Sequence, residues 1–191
     1  MKLDLKVIQL YNNETQLISK AVKNDRNAQR ILYEMHAPKM LSVCRYYIKD
    51  IHQAEEVMLN GFFKVFTKLS TFKSHGSLEG WIRRIMVRES ISFLRSKKPI
   101  EFTMDNEVIY HDEAIQFHFE LDTDHIQQLI DNLPEGYRMV FVMNVVEGYK
   151  HHEIATMLNI SEGTSKSQLF KARKLLQSQL KLLNKTGNGT N

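Results

Sequence analysis

A single cysteine, Cys44, stands in the 191 residues. It excludes an intramolecular disulfide and any cysteine-based zinc framework. Proline occurs three times and glycine eight, too few for a collagen-like or linker-rich chain and favourable to helices. No run approaches the roughly 18 to 20 apolar residues that cross a bilayer. The first residues, MKLDLKVIQLYNNE, alternate charged and apolar groups and form neither a signal-peptide core nor a small-residue cleavage site. A cytoplasmic protein without membrane insertion is expected. With 42% hydrophobic and 25% charged residues the chain can bury a core, and its length suits one mid-sized domain or two small ones.

Charge is present but segregated. Residues 1–98 carry 18 Lys and Arg against 9 Asp and Glu, net +9. Residues 99–124 carry 8 acidic groups and no Lys or Arg, and residues 125–191 carry 8 basic against 5 acidic. Two basic bodies that could meet a polyanion are thus joined by an acidic connector that one would repel.

Helical spacing dominates. It places helices over 14–23 and 26–49, the second of which Pro38 is expected to kink or divide. Over 52–69, Ala54, Val57, Met58, Phe62, Val65, Phe66 and Leu69 form one apolar stripe, leaving Glu55, Glu56, Asn60 and Lys64 on other faces. A polar loop, Lys73 to Ser77, leads to a helix over 78–95 with Trp81, Ile82, Ile85, Met86 and Leu94 towards a core. Arg83, Arg84, Arg88 and Arg95 decorate its other faces. Guanidinium groups beside Phe72 and Trp81 suit phosphates and unpaired bases, although Trp81 serves equally well as a core residue. Lys97-Lys98-Pro99 stops the helix. The stretch to residue 124 shows no period but holds Ile100, Phe102, Val108, Ile109, Tyr110, Phe117 and Phe119, too apolar for a bare tether.

Four helices are predicted in the last third, over 122–132, 134–146, 150–158 and 162 to about 183, before a fraying tail at 187–191. Residues 150–174, KHHEIATMLNISEGTSKSQLFKARK, have the arrangement of a helix-turn-helix. Ile154, Ala155 and Leu158 face inward, Asn159 to Ser161 make the turn, and Ser161 caps the second helix with Glu162 in its first turn. Leu169, Ala172 and Leu176 are its buried face. Thr164, Ser165, Lys166, Ser167, Phe170, Lys171, Arg173 and Lys174 share the remaining surface, where short hydroxyls backed by cations suit a major groove.

In order and spacing these segments resemble the sigma-70 superfamily, specifically the small two-domain extracytoplasmic-function sigma factors, over about residues 10 to 183. HQAEEVMLNGFFKVFTKLSTF is similar to region 2.2, SHGSLEGWIRRIMVRESISFLR to regions 2.3 and 2.4, and LIDNLPEGYRMVFVMNVVEGYKHHEIATMLNISEGTSKSQLFKARKLL to region 4. The resemblance implies an all-α chain with a region 2 bundle over 10–97, an acidic linker over 98–121 and a region 4 helix-turn-helix over 122–183. It implies docking of Glu55, Glu56, Asn60 and Phe63 on the beta-prime clamp helices of core RNA polymerase, and of region 4 near the beta flap. Lys73, Ser74, His75, Trp81, Arg84 and Arg88 would take up the unpaired minus-ten strand. Lys166, Ser167, Phe170 and Lys171 would read the minus-thirty-five element, with Thr164 and Arg173 on phosphates. The linker would occupy the polymerase channel. The expected partners are core polymerase, promoter DNA and an anti-sigma factor, and the free protein would be a monomer without cofactor, metal or catalytic residues. Two departures stand out: Arg88 replaces a common asparagine and suits a phosphate, and Gln168 replaces a common basic residue.

Two other readings compete. His151 and His152 are adjacent, so their side chains point about 100° apart on a helix and do not converge on one metal. No phosphate-cradling glycine loop, nucleophile elbow or carboxylate dyad supports an enzyme. A ligand-gated helix-turn-helix regulator would use residues 1–98 for effector binding or dimerisation, and would bind duplex DNA unaided.

Overall fold

The computed structural model describes residues 14–97, 100–102 and 123–187, and every regular element among them is helical. Two compact units result, one ending at Phe93 and the other beginning at Leu94. The predicted linker lies outside the described residues except for 100–102, as do the first 13 residues and the tail beyond 187.

In the first unit α1 (14–22) ends where Asn24 takes a left-handed conformation at φ 64°. Asp25 then caps α2 (Arg26–Tyr47), its carboxylate accepting from the Ala28 amide at 2.8 Å. Asp50 does the same for α3 (Ile51–Lys68), accepting from the Gln53 amide at 2.9 Å. A 3-10 turn at Leu69–Thr71 and the loop 72–77 lead to α4 (Leu78–Lys97).

Pro38 does not divide α2. Leu32, His36, Met40, Val43, Cys44 and Tyr47 form one continuous buried stripe across it. Burial of that stripe against α3 offsets the roughly 3 kcal/mol that an interior proline costs. The facing stripe of α3 is Ala54, Val57, Met58, Phe62 and Val65, as the spacing predicts. In α4, Ile82 and Met86 are buried as expected, while Trp81, Ile85 and Leu94 are only partly so; Val87, Ser90 and Ile91 complete the face instead. Gly61 marks the tightest approach, since a Cβ there would collide with Met86 Sδ.

The second unit contains α5 (Thr123–Asp131), α6 (Glu135–Phe141), α7 (His151–Leu158) and α8 (Glu162–Gly187). The single helix predicted over 134–146 ends as α at Phe141 and widens into a π turn, Val142–Val146, with the Glu147 amide donating to the Val142 carbonyl at 3.0 Å. Met139, Val140, Val142 and Met143 are wholly buried there, and Gly148 at φ 75° reverses the chain towards α7. Residues 101 and 102 belong to this unit's packing. A Cβ on Gly136 would lie 2.7 Å from the Glu101 carbonyl and 3.2 Å from both Phe102 Cδ1 and Gln168 Oε1.

Candidate nucleic-acid interface

Residues 150–174 form the predicted helix-turn-helix, and local hydrogen bonds define both helix starts. Glu153 reaches back to accept from the Lys150 amide at 2.8 Å. α7 ends at Asn159, left-handed at φ 55°, a conformation that asparagine tolerates better than most residues. Ser161 Oγ accepts from the Thr164 amide at 2.9 Å and lies 2.8 Å from the Thr164 hydroxyl, capping α8. His151 Nδ1 lies 2.8 Å from Ser165 Oγ, tying the first turn of α7 to the first turn of α8. Ile154 and Leu158 are buried beneath this tie, whereas Ala155, expected inside, is partly exposed.

α8 sorts its side chains by face. Leu169, Ala172, Leu176 and Leu180 are buried. Glu162, Lys166, Phe170 and Lys174 recur every fourth residue on an outward stripe, with Thr164, Lys171 and Arg173 half-buried along its flanks. Ser165 and Ser167 require correction. Both were expected on the surface, yet Ser165 is fully buried and Ser167 is 5% exposed, its hydroxyl donating to the Thr164 carbonyl at 2.9 Å. A small side chain that satisfies itself on the preceding turn sits comfortably at a helix crossing. Gln168, expected only as a missing basic group, is wholly buried beside Gly136 and residues 101–102.

Glu162 was legible only as a first-turn acid. Its Oε1 is 2.9 Å from Lys166 Nζ. That ammonium first, with His151 and His152 adding to it, holds the Glu162 carboxyl below the usual carboxylate range. An E-x-x-x-K spacing is the sequence signal for such a pair.

In the first unit Lys73, Ser74, His75, Gly76 and Ser77 are all exposed. Ser74 at φ 54° and Gly76 at φ 98° turn the loop, and Ser77 Oγ accepts from the Gly80 amide at 3.1 Å to start α4. Phe72 and Trp81 pack in a tilted pair with ring centroids 5.6 Å apart at an interplanar angle of 49°. Arg84 and Arg88 are exposed and follow Trp81 at i+3 and i+7, so all three share one stripe of α4. On α3, Glu55, Glu56, Asn60 and Phe63 are exposed together, Phe63 by 71%. Leu59, absent from the expected set, is 54% exposed one turn before Phe63 and extends an apolar patch flanked by acids. Among the described residues no cluster of His, Cys, Asp and Glu could hold a metal, and no helix is long and apolar enough to cross a membrane.

Comparison with known proteins follows the same two-unit division. The family model described as Sigma-70 region 2 matches residues 32–100, and that described as Sigma-70, region 4 matches residues 124–176. The chain is 26% identical over 179 residues to the ECF RNA polymerase sigma factor SigW of Bacillus subtilis (strain 168), covering 86% of this chain and 95% of that protein. It is 28% identical over 134 residues to the RNA polymerase sigma factor SigV of the same organism, covering 70% and 80%. In fold it is similar to the sigma factor RpoE of Bartonella quintana, crystallised with the anti-sigma factor NepR, with a TM-score of 0.53, 19% identity, and coverage of 80% of this chain and 96% of that one. With region 2 and region 4 matched in order over well over half its length, the chain belongs to the sigma-70 family, as an RNA polymerase sigma factor of the extracytoplasmic-function type.

Proposed function

We propose a division of labour within this sigma factor in which each unit contributes one DNA-binding surface and the first also contributes the polymerase contact. The observation that carries it is the outward stripe of α8, which sets Lys166, Phe170 and Lys174 on a capped helix-turn-helix. Region 4, over 122–183, reads the minus-thirty-five element as duplex, with Lys166, Phe170 and Lys171 in the major groove and Thr164 and Arg173 on phosphates. Ser167 is buried, so its contribution is to seat α8.

Region 2, over 10–97, takes up the unpaired minus-ten strand. Lys73, Ser74, His75, Arg84 and Arg88 meet the backbone, and the partly exposed Trp81 offers a stacking face, its pairing with Phe72 holding the ring in place. Glu55, Glu56, Asn60 and Phe63 dock on the beta-prime clamp helices of core polymerase, and region 4 rests near the beta flap. Phe63 suits an interface anchor, being a large exposed aromatic that forms an apolar patch with Leu59 beside Glu55 and Glu56. The acidic linker, 98–121, follows the polymerase channel. The protein works in the cytoplasm as a monomer until it joins polymerase, catalyses no reaction itself, needs no cofactor or metal, and has an anti-sigma factor as a further candidate partner, as RpoE of Bartonella quintana was crystallised with one.

The test mixes the purified chain with bacterial core polymerase lacking any sigma factor and follows co-migration and run-off transcription from a library of random promoters. Promoter-specific transcripts are expected. A chain that ignores core polymerase but protects a specific duplex operator alone, as a dimer, overturns the proposal.

A further inference from the structure

Glu162 and Lys166 pose a question that the division of labour leaves open. A helix that must approach a polyanion carries a carboxylate in its first turn, on its outward stripe. The amide dipoles of a helix N-terminus would otherwise attract phosphate, and Glu162 opposes that attraction. Stability does not explain the pair, because its side chains are 54% and 50% exposed and exposed ion pairs contribute little.

Geometry suggests a different use. The carboxylate oxygen and ammonium nitrogen are 2.9 Å apart. In a G·C base pair the guanine O6 acceptor and cytosine N4 donor are themselves hydrogen-bonded, at about the 2.9 Å of any N–H···O bond. Both atoms keep a free hydrogen-bonding position on the major-groove edge. A paired ammonium and carboxylate match that edge atom for atom: Lys166 Nζ donates to guanine O6, and Glu162 Oε1 accepts from cytosine N4. An A·T pair presents a donor and an acceptor too, but a thymine methyl stands beside the acceptor and no guanine N7 lies next to O6 to share the ammonium.

We propose that Glu162 and Lys166 act as one unit that reads a single G·C pair in the minus-thirty-five element, with Glu162 holding Lys166 away from phosphates everywhere else. This rests on the reading of α8 as the recognition helix. The ion pair keeps the lysine from adding a sequence-independent phosphate contact, and the two charges are jointly satisfied only where both complementary base atoms are present.

The test uses the full chain assembled with core polymerase and a promoter library randomised only in the minus-thirty-five element. Wild type is compared with E162Q, K166M and the double variant, after circular dichroism confirms equal helix content. Wild type should show a strong G·C preference at one position. In E162Q that preference should fall roughly tenfold, the worth of one good base contact, while other positions are unchanged. The released lysine should steepen the salt dependence of promoter binding by about one unit. K166M should transcribe less than the double variant, because it leaves an unneutralised carboxylate facing the DNA. If wild type depends on the minus-thirty-five element and E162Q keeps both its base profile and its salt slope, the inference falls while the reading of α8 stands. Wild type indifferent to that element overturns both. A base preference lost without a change in slope overturns the withholding of Lys166.

Discussion

His151 Nδ1 and Ser165 Oγ lie 2.8 Å apart and join the first turns of the two helices of the helix-turn-helix. Ser165 is fully buried and His151 half-buried, so this bond is partly sheltered from water where α7 and α8 meet. Replacing Ser165 by Ala should cost about 1 kcal/mol, the usual net worth of a buried hydrogen bond, and should loosen the crossing. Urea unfolding of the full chain measures the cost. A variant as stable as wild type would show that the packing of Ile154, Leu158 and Leu169 alone holds the crossing.

Gly61 faces Met86 across α3 and α4. Gly61→Ala should gain helix propensity yet lose stability overall, by about 1 to 3 kcal/mol, as overpacked cores do. Met86 is wholly buried and has little room to swing aside, so pairing the change with Met86→Ala should relieve the collision, and the double variant should lose less than the sum of the two single changes. Thermal melts of the four proteins decide the point.

Gly136 gives a local counterpart in the second unit. Gly136→Ala should leave α6 intact and push residues 101 and 102 away, because the obstructing atom is the Glu101 backbone oxygen. Hydrogen exchange should show faster exchange at those two amides and unchanged protection in α6. Slow exchange at both sites would mean that the segment shifts without detaching.

Two buried titratable groups give stability opposite pH limits. Burial pushes the His36 imidazole below its ordinary 6.5, outweighing the pull of Glu14 and Glu79, and Lys39 acts in the same downward direction as burial. The unfolded chain therefore takes up a proton that the folded chain resists, and this contribution is intact above about pH 6.5 and lost as pH falls below it. Burial pushes the Cys44 thiol up to about 11, with Ser90 opposing it and Glu89 adding to it. Its contribution holds below the ordinary 9.0 and declines as pH rises from there towards 11. Urea midpoints should fall at both ends. His36→Gln should flatten the acid side alone, and Cys44→Ala the alkaline side.

Phe63, 71% exposed, should be dispensable for folding. Phe63→Ala should change the melting temperature little while weakening association with core polymerase by tenfold or more, the loss typical of an interface anchor. Sedimentation or fluorescence titration with core polymerase measures the loss. Unchanged affinity would move the contact elsewhere on the first unit.

Element type was readable from the chain because helical periodicity and caps are local. Ser161 declares a helix start within three residues, and Leu169, Ala172 and Leu176 declare a buried face by spacing alone, while the caps at Asp25 and Asp50 emerged with the structure. The order of segments, basic body, acidic connector, helix-turn-helix, was likewise in the residues themselves. What needed the tertiary structure was every outcome settled by a neighbour distant in sequence. The unbroken α2 through Pro38 depends on packing along α3, and the π turn after Phe141 on burial of Val142 and Met143. Ser165 and Ser167 look like surface hydroxyls by composition but are buried. Ser165 meets His151 of α7 there, while Ser167 turns its hydroxyl back onto α8. Periodicity assigns a residue to a face, but only the partner helix determines whether that face meets protein or water.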